Sequence, residues 1–200
     1  MKELIFSDLH MHNWKNFGTD KSTHMSNRLV QQIDILKQIR HLNDKYKIDN
    51  NIFGGDLVHL VEEIPTEVLN VVENELRSWN VPMDWCDGNH DMTDRISPEW
   101  FEIKTNAFKK LCKTADHGSL KIKLVHFNER VDYDKLSGYD ILVLHKQPVL
   151  TNRYGHQFDG VDWRRLADNN KLVFFAHYHE KTVLANNCFV IGAPMHFEFW

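Results

Sequence analysis

Apolar and polar positions in the first half of the chain follow two spacings in turn. Short apolar runs predict buried strands, and stretches with apolar side chains every three or four positions predict helices between them. Ser26 and Pro65 stand where the first two helices would begin. The predicted strands are 2–6, 50–53 and 81–86, and a third helix is predicted over 97–112.

The second half of the chain is richer in strands. The segment 120–127 predicts a strand or hairpin, 163–167 a short helix, and the remaining strands are 141–144, 172–176, 182–184 and 188–191, the last two as a hairpin. No linker, repeat or low-complexity segment interrupts the pattern. We therefore expect one domain over residues 1–200, an α/β fold with two sheets packed together and helices outside.

Composition narrows the function only a little. The chain is 42% hydrophobic with a formal net charge of −4, so it has no general basic field, and any nucleic-acid binding must depend on a local patch or on metal ions. Three cysteines without C-x-x-C spacing favour a reduced, cytoplasmic protein. The apolar start of the chain is too short for a signal peptide, and no membrane association is expected.

Polar side chains that can bind metals follow five of the predicted strands. Because strand ends present the functional loops of an α/β sheet, we expect these side chains to meet at one site. Aspartate, histidine and asparagine can together hold two divalent cations, so the set predicts a dinuclear metallohydrolase acting on phosphate esters. The fragments are Asp8-Leu9-His10, Gly55-Asp56, Gly88-Asn89-His90-Asp91, His145 and His177-Tyr178-His179.

Each fragment taken alone has an ordinary explanation. Gly55-Asp56 and Asn89-His90-Asp91 could each be a turn at a strand end, whereas His177-Tyr178-His179 is more informative because two rings then share one side. The other histidines, among them His24, His41, His117, His126 and His156, are assigned to structure or surface. Asp56 is the natural bridging carboxylate, because the two glycines before it allow the backbone to approach closely.

The ordered fragments resemble the calcineurin-like metallophosphoesterase superfamily, whose motifs are D-x-H, G-D, G-N-H-[DE], a lone H and G-H-x-H. The resemblance implies a four-layer α/β/β/α sandwich with two mixed β-sheets flanked by helices. It also implies that Asp8, His10, Asp56 and His179 hold one cation and that Asp56, Asn89, His145 and His177 hold the second. Ala176 departs from the family pattern, which has glycine before the H-x-H pair.

The resemblance further implies a mechanism. A hydroxide bridging the two cations attacks phosphorus in line, His90 donates a proton to the leaving oxygen, and Asp91 orients His90. The mixed oxygen and nitrogen ligands suit Mn²⁺, Fe²⁺ or Zn²⁺. Mn²⁺ is expected through resemblance to one branch of the superfamily, the SbcD-type DNA-repair nucleases.

That branch is indicated by secondary features. Gly55 to His59 reads Gly-Asp-x-x-His, and Gly192-Ala193-Pro194 resembles the segment that follows the H-x-H pair in these nucleases. Asp87 stands where the phosphatases of the superfamily carry an arginine, and a carboxylate there is expected to repel a dianionic monoester. Arg95 could compensate from a nearby loop.

Three functions follow as hypotheses. The first is a compact DNA nuclease, the second is a phosphodiesterase or phosphatase for small molecules such as cyclic nucleotides, and the third is a silent scaffold. The chain ends at Trp200, before the capping and ATPase-binding segments of full-length nucleases, so no ATPase partner is expected. Trp14, Phe17 and Tyr154 could stack on bases or pack in loops, and His12 and His59 could line a substrate channel or lie on the surface.

Overall fold

Two β-sheets form the centre of the computed structural model, which describes residues 1–59, 63–92, 105–151 and 157–195. The first part contains β1 (Glu3–Phe6), α1 (Asn27–Tyr46), β2 (Asn50–Phe53), α2 (Thr66–Arg77), β3 (Met83–Trp85) and α3 (Asn106–Lys109). The second part contains β4 (Ile122–Val125), β5 (Ile141–His145), β6 (Leu150–Thr151), β7 (Gln157–Phe158), α4 (Trp163–Asn169), β8 (Leu172–Ala176), β9 (Thr182–Ala185) and β10 (Cys188–Val190).

The two sheets differ in strand direction. In the described part of the chain, the first has the order β1-β2-β3 and is parallel throughout, whereas the sequence analysis expects mixed pairing in both sheets. The second has the order β4-β5-β8-β10-β9 and is mixed, because only β9 runs antiparallel to its neighbour. The short strands β6 and β7 pair separately. Parallel pairing brings the carboxyl ends of β1, β2 and β3 to one edge, and those of β5 and β8 to one edge of the second sheet.

Three apolar clusters define four layers. Helices α1 and α2 cover the outer face of the first sheet, where Leu36 and Val72 are fully or almost fully buried against Phe53. Ile52 of the first sheet meets Val143 of the second between the sheets. Helix α4 covers the outer face of the second sheet with Leu166. The order is therefore helices, sheet, sheet, helix, which is the predicted α/β/β/α sandwich.

The helices begin where the sequence indicates. The Ser26 hydroxyl accepts a hydrogen bond from the backbone N–H of Leu29 at 3.0 Å, and this caps α1. Pro65 precedes α2. The predicted start of the third helix near residue 97 lies outside the described residues, and within the described part of the predicted range α3 spans Asn106–Lys109. Within the described ranges, no helix is both long and apolar enough to cross a membrane.

His117 joins two strands of the first sheet through carboxylates. Its ring contacts Asp84 of β3 and lies 3.3 Å from an oxygen of Glu3 in β1. Burial alone lowers the pKa of His117, but the hydrogen bonds to Asp84 and Glu3 outweigh burial and raise the pKa above its ordinary value of 6.5. The sequence analysis assigned this histidine to structure or surface, and its contacts are structural.

We expect His117→Gln to destabilise the protein more in mild acid than in alkali. Because the folded state raises the pKa of His117, the stabilisation is complete below the unfolded value of 6.5 and disappears as the pH rises through the folded value. Thermal unfolding at about pH 5.5 should show a midpoint lower by about 2–4 °C at most, with a smaller difference at about pH 9. An equal loss at both pH values would contradict a charged His117.

Candidate metal centre

The polar fragments predicted from the strand ends lie together at one edge of the two sheets. The backbone N–H of Asp8 donates to the carbonyl of Gly55 at 2.8 Å, and that of His10 donates to Asp56 at 3.0 Å, so the loop after β1 stays paired with the loop after β2. The backbone N–H of His177 donates to a carboxylate oxygen of Asp8 at 3.2 Å. This bond joins the loop after β8 to the first sheet.

Asp8, His10 and His179 form the first group of possible ligands, with donor atoms that all lie within 4.8 Å of one another. The Nε2 atoms of His10 and His179 are 2.9 Å apart, and Asp8 Oδ1 lies 3.8 and 3.7 Å from them. Asp8 is fully buried, and within the described structure its Oδ1 has no hydrogen-bond partner. A buried carboxylate oxygen among imidazole nitrogens is a suitable ligand for a divalent cation.

Asp56, His145 and His177 form the second group, with Asn89 beside them. Asn89 Oδ1 lies 3.2 Å from His145 Nε2 and 2.8 Å from His177 Nδ1. His145 Nδ1 lies 2.7 Å from the carbonyl oxygen of Gly54, which can only accept, so Nδ1 carries the proton and Nε2 presents its lone pair to the site. A carbonyl that sets the histidine tautomer in this way is typical of metal sites.

Asp56 lies between the two groups. The same oxygen, Oδ2, is 3.5 Å from His10 Nε2 and 3.3 Å from His145 Nε2. The other oxygen, Oδ1, accepts a hydrogen bond from the backbone N–H of His90 at 2.8 Å. The position of Oδ2 is that of a carboxylate able to bridge two cations.

Burial and neighbouring charges shift the pKa values of the side chains in the site in different directions. Burial raises the pKa of Asp8 and lowers that of His10 to about 2. Burial also lowers the pKa of His145, but the carboxylate of Asp56 outweighs it and raises the value to about 9. Binding of a cation requires the neutral form of His145, so metal binding there would release any proton on Nε2.

Four of the candidate ligands have backbones in the left-handed region. Asp8, His10, Asp56 and His177 have φ values of 56°, 44°, 58° and 78°. Residues other than glycine adopt such angles at a cost of about 1–3 kcal/mol each and keep them only where the surrounding structure over-determines them. Ala176, which replaces the glycine of the family pattern, is not among the residues with positive φ, so its methyl group meets no backbone conflict.

Two glycines allow the loops to approach. A Cβ atom on Gly55, whose φ is 104°, would lie 2.6 Å from His145 Nδ1, and one on Gly88 would lie 2.1 Å from Asp56 Oδ1. Both separations are too short for carbon. The close approach that the sequence predicted from the glycines before Asp56 is therefore real, and Gly88 contributes to it as well.

Asp91 makes contacts other than those expected. Its carboxylate accepts hydrogen bonds from the backbone N–H groups of Asp56, Leu57 and Gly88 at 2.8, 3.1 and 3.0 Å. The ring of His90 instead contacts the carbonyl oxygen of His59 through Nδ1. Asp91 thus holds the turn that carries Asp56, and the His59 carbonyl orients His90.

The charge of Asp87 is compensated locally, which corrects the expectation that it repels a monoester. Its carboxylate is nearly buried, forms an ion pair with Lys109 and lies 3.0 Å from His126 Nδ1. Burial by itself raises the pKa of Asp87, but these two partners outweigh it and the pKa is lowered. Arg95, the proposed compensating cation, lies outside the described residues.

The sequence placed His12 and His59 either along a substrate channel or on the surface, and neither is exposed in the structure. His12 is buried, and its ring lies 4.5 Å from that of Trp14. Trp14 lies edge-on to His59 at 4.6 Å, and His59 stacks on His90 at 5.2 Å. We call the side chains of His12, Trp14 and His59 the aromatic wall. Tyr154 and the side chain of Phe17 lie outside what the structure describes.

The fold and the two ligand groups define a class of protein, a dinuclear metallohydrolase built on an α/β/β/α sandwich. Residues 1–181 match the family model of the calcineurin-like phosphoesterases, and the chain belongs to this family. Its members are metal-dependent hydrolases of phosphate esters with a dinuclear centre of divalent cations. A search of curated proteins found no match to this chain.

Proposed function

We propose that this protein is a metal-dependent phosphodiesterase and that its substrate is DNA. The proposal depends on the aromatic wall, which continues from the metal centre through the contact of His59 with His90. His90 in turn lies edge-on to His10 at 4.6 Å. A nucleotide with its phosphate at the cations would have the half-buried Trp14 and His59 beside its base or sugar, and aromatic side chains that stack on bases are common in proteins that bind single-stranded nucleic acid.

In this proposal the two ligand groups hold two divalent cations. One is held by Asp8, His10, Asp56 and His179, and the other by Asp56, Asn89, His145 and His177. Two bound cations supply an activated water at neutral pH and polarise the phosphoryl oxygens. Mn²⁺ is the proposed metal, with Fe²⁺ and Zn²⁺ as alternatives, because carboxylate, amide and imidazole ligands suit all three.

His90 is proposed to protonate the leaving oxygen. A carbonyl can only accept, so the contact with His59 places a proton on His90 Nδ1 and assigns proton transfer to the other ring nitrogen, Nε2. The backbone N–H of His90 is bonded to Asp56 Oδ1 at 2.8 Å. The backbone of the proposed acid is therefore held by the same carboxylate that would bridge the cations, and this would keep His90 close to a phosphate bound there.

A diester is favoured over a monoester by the environment of residue 87. A monoester dianion needs an additional cation to neutralise it, and Asp87 occupies the place of the phosphatase arginine. Within the described residues, the ammonium group that contacts residue 87, that of Lys109, is already paired with Asp87. A diester carries one negative charge less and has no such requirement.

A small phosphodiester such as a cyclic nucleotide is the second candidate substrate. The same metal centre would cleave it, and the net charge of −4 does not favour a long polyanion. The two candidates differ in how much of the substrate lies beyond the scissile phosphate.

The purified protein with Mn²⁺ should be assayed on single-stranded and duplex DNA oligonucleotides, RNA, cyclic nucleotides, bis-p-nitrophenyl phosphate and p-nitrophenyl phosphate. We expect cleavage of DNA and of the aryl diester, and little cleavage of the aryl monoester. Intact oligonucleotides together with cleaved cyclic nucleotides would replace the nuclease proposal with the second candidate.

We expect Trp14→Ala to raise KM for DNA by about 10-fold, because loss of one aromatic stacking contact costs about 1–3 kcal/mol. Trp14→Phe should keep most of the affinity. Neither variant should change KM for bis-p-nitrophenyl phosphate by as much, and this substrate is the internal control. Equal losses on both substrates would show that Trp14 packs the loop and does not bind nucleic acid.

A further inference from the structure

Gln32 is a fully buried amide on α1, and within the described residues its three hydrogen bonds all go to the loop that carries His10. Its Nε2 donates to the carbonyl oxygens of Leu9 at 3.0 Å and His10 at 2.8 Å. Its Oε1 accepts from the backbone N–H of His12 at 3.1 Å. One side chain therefore pairs with polar backbone groups of three residues of the site loop, Leu9, His10 and His12.

These hydrogen bonds lie in a segment whose backbone conformation is strained. His10 has a φ of 44° and Asp8 a φ of 56°, both in the left-handed region. Buried carbonyl groups also require donors, and a lost partner costs about 1–3 kcal/mol. Without the amide of Gln32, the loop could relieve both the strain and the unpaired carbonyls by turning away from its present conformation.

We propose that Gln32 is a positioning residue that keeps His10 in ligand geometry and so sets the affinity of the cation bound by Asp8, His10 and His179. This inference rests on the ligand roles proposed above. The same amide anchors His12, the first residue of the aromatic wall, through its backbone. Helix α1 is thereby attached to the metal site and to the wall at one point.

The chemistry requires an amide at this position. The side chain of Gln32 uses two N–H donors and one oxygen acceptor. Methionine has a similar shape but neither kind of group, so Gln32→Met would remove all three hydrogen bonds. Glutamate would keep the acceptor for His12 but would set a second oxygen against the carbonyls of Leu9 and His10, where only a donor fits. We therefore expect Gln32→Glu to perturb the loop at least as much as Gln32→Met.

Asn43 provides a matched control on the same helix. It is also a buried amide of α1, and its side chain has no hydrogen bond to the loop after β1 in the part of the chain that the structure describes. Asn43→Leu removes a buried amide without touching the site. Any general effect of repacking α1 should therefore appear in both variants.

The test is calorimetric titration of metal-free protein with Mn²⁺, with His179→Ala and His177→Ala used to assign the two binding steps. In Gln32→Met we expect the step lost in His179→Ala to weaken by about 10–100-fold, as is usual for residues that orient a ligand. The other step should change by less than about 3-fold. Raising Mn²⁺ should restore most of kcat, and Asn43→Leu should leave both steps unchanged.

Other results would overturn the inference. Unchanged binding of both ions in Gln32→Met would remove Gln32 from the site while leaving the proposed function intact. Equal weakening of both steps, or the same change in Asn43→Leu, would mean that Gln32 acts only through the stability of α1. If the wild-type protein bound no Mn²⁺, Fe²⁺ or Zn²⁺, the proposed function and this inference would both fail. Gln32→Glu supplies the same readout if Gln32→Met does not fold.

Discussion

We expect Asp56→Asn to prevent stable binding of both cations and to lower kcat for a phosphodiester by about 10³-fold or more, since loss of several kcal/mol of transition-state stabilisation has this effect. The reason is geometric. Asp56 Oδ2 lies within 3.5 Å of a ligand nitrogen from each group, so a single substitution removes the shared ligand. Asparagine keeps the size of the side chain and a hydrogen-bond acceptor for His90.

The measurement is metal content after dialysis, together with kcat on bis-p-nitrophenyl phosphate. Asp44→Asn on the exposed face of α1 is the matched control, because it removes the same charge from the chain outside the site. If Asp56→Asn retained one ion with unchanged affinity, Asp56 would belong to one ligand group only. The bridging role would then be wrong.

We expect His90→Ala to lower kcat on DNA by about 10²–10⁴-fold while leaving two ions bound. His90 is proposed as an acid and not as a ligand, so its loss should matter only where the leaving oxygen needs a proton. An alkoxide leaving group needs one, whereas p-nitrophenolate is stable enough to leave without it. The ratio of the losses on DNA and on bis-p-nitrophenyl phosphate is therefore the decisive measurement.

His41→Gln, an exposed substitution on α1, is the control for a changed histidine. Equal losses on the two substrates would argue that His90 acts by holding Asp56 or the substrate, and not by proton transfer. A loss of bound metal would place His90 among the ligands. The group of His10, His59 and His90, whose donor atoms lie within 4.8 Å of one another, makes this second outcome worth measuring.

Much of the fold was predictable because its signals are local. The strands 50–53 and 172–176 were predicted with the bounds that the structure has, and the Ser26 cap marks the start of α1. Apolar periodicity and capping depend on neighbouring residues alone. Strand β3 is shorter than the predicted 81–86, since strand ends depend on pairing with another strand.

The contacts inside the site were predictable only in part. Parallel strands end at one edge of a sheet, so Asp8, Asp56 and His145, which each follow a predicted strand, were predicted to lie together. The structure places them in two neighbouring groups of possible ligands. The partners of individual side chains were not predictable. Asp91 was expected to orient His90, but its oxygens are occupied by backbone N–H groups of the loop after β2.

The sequence by itself determined the fold class, the family motifs and the chemistry that their side chains can perform. Only the tertiary structure decided that Asp87 is neutralised by Lys109, that His12 is buried beside Trp14, and that Gln32 holds the loop of His10. The physical reason is the separation along the sequence of the residues that interact. Helices, strands and turns follow from spacing within a few residues, whereas burial and pairing depend on which distant segments the packed sheets bring into contact.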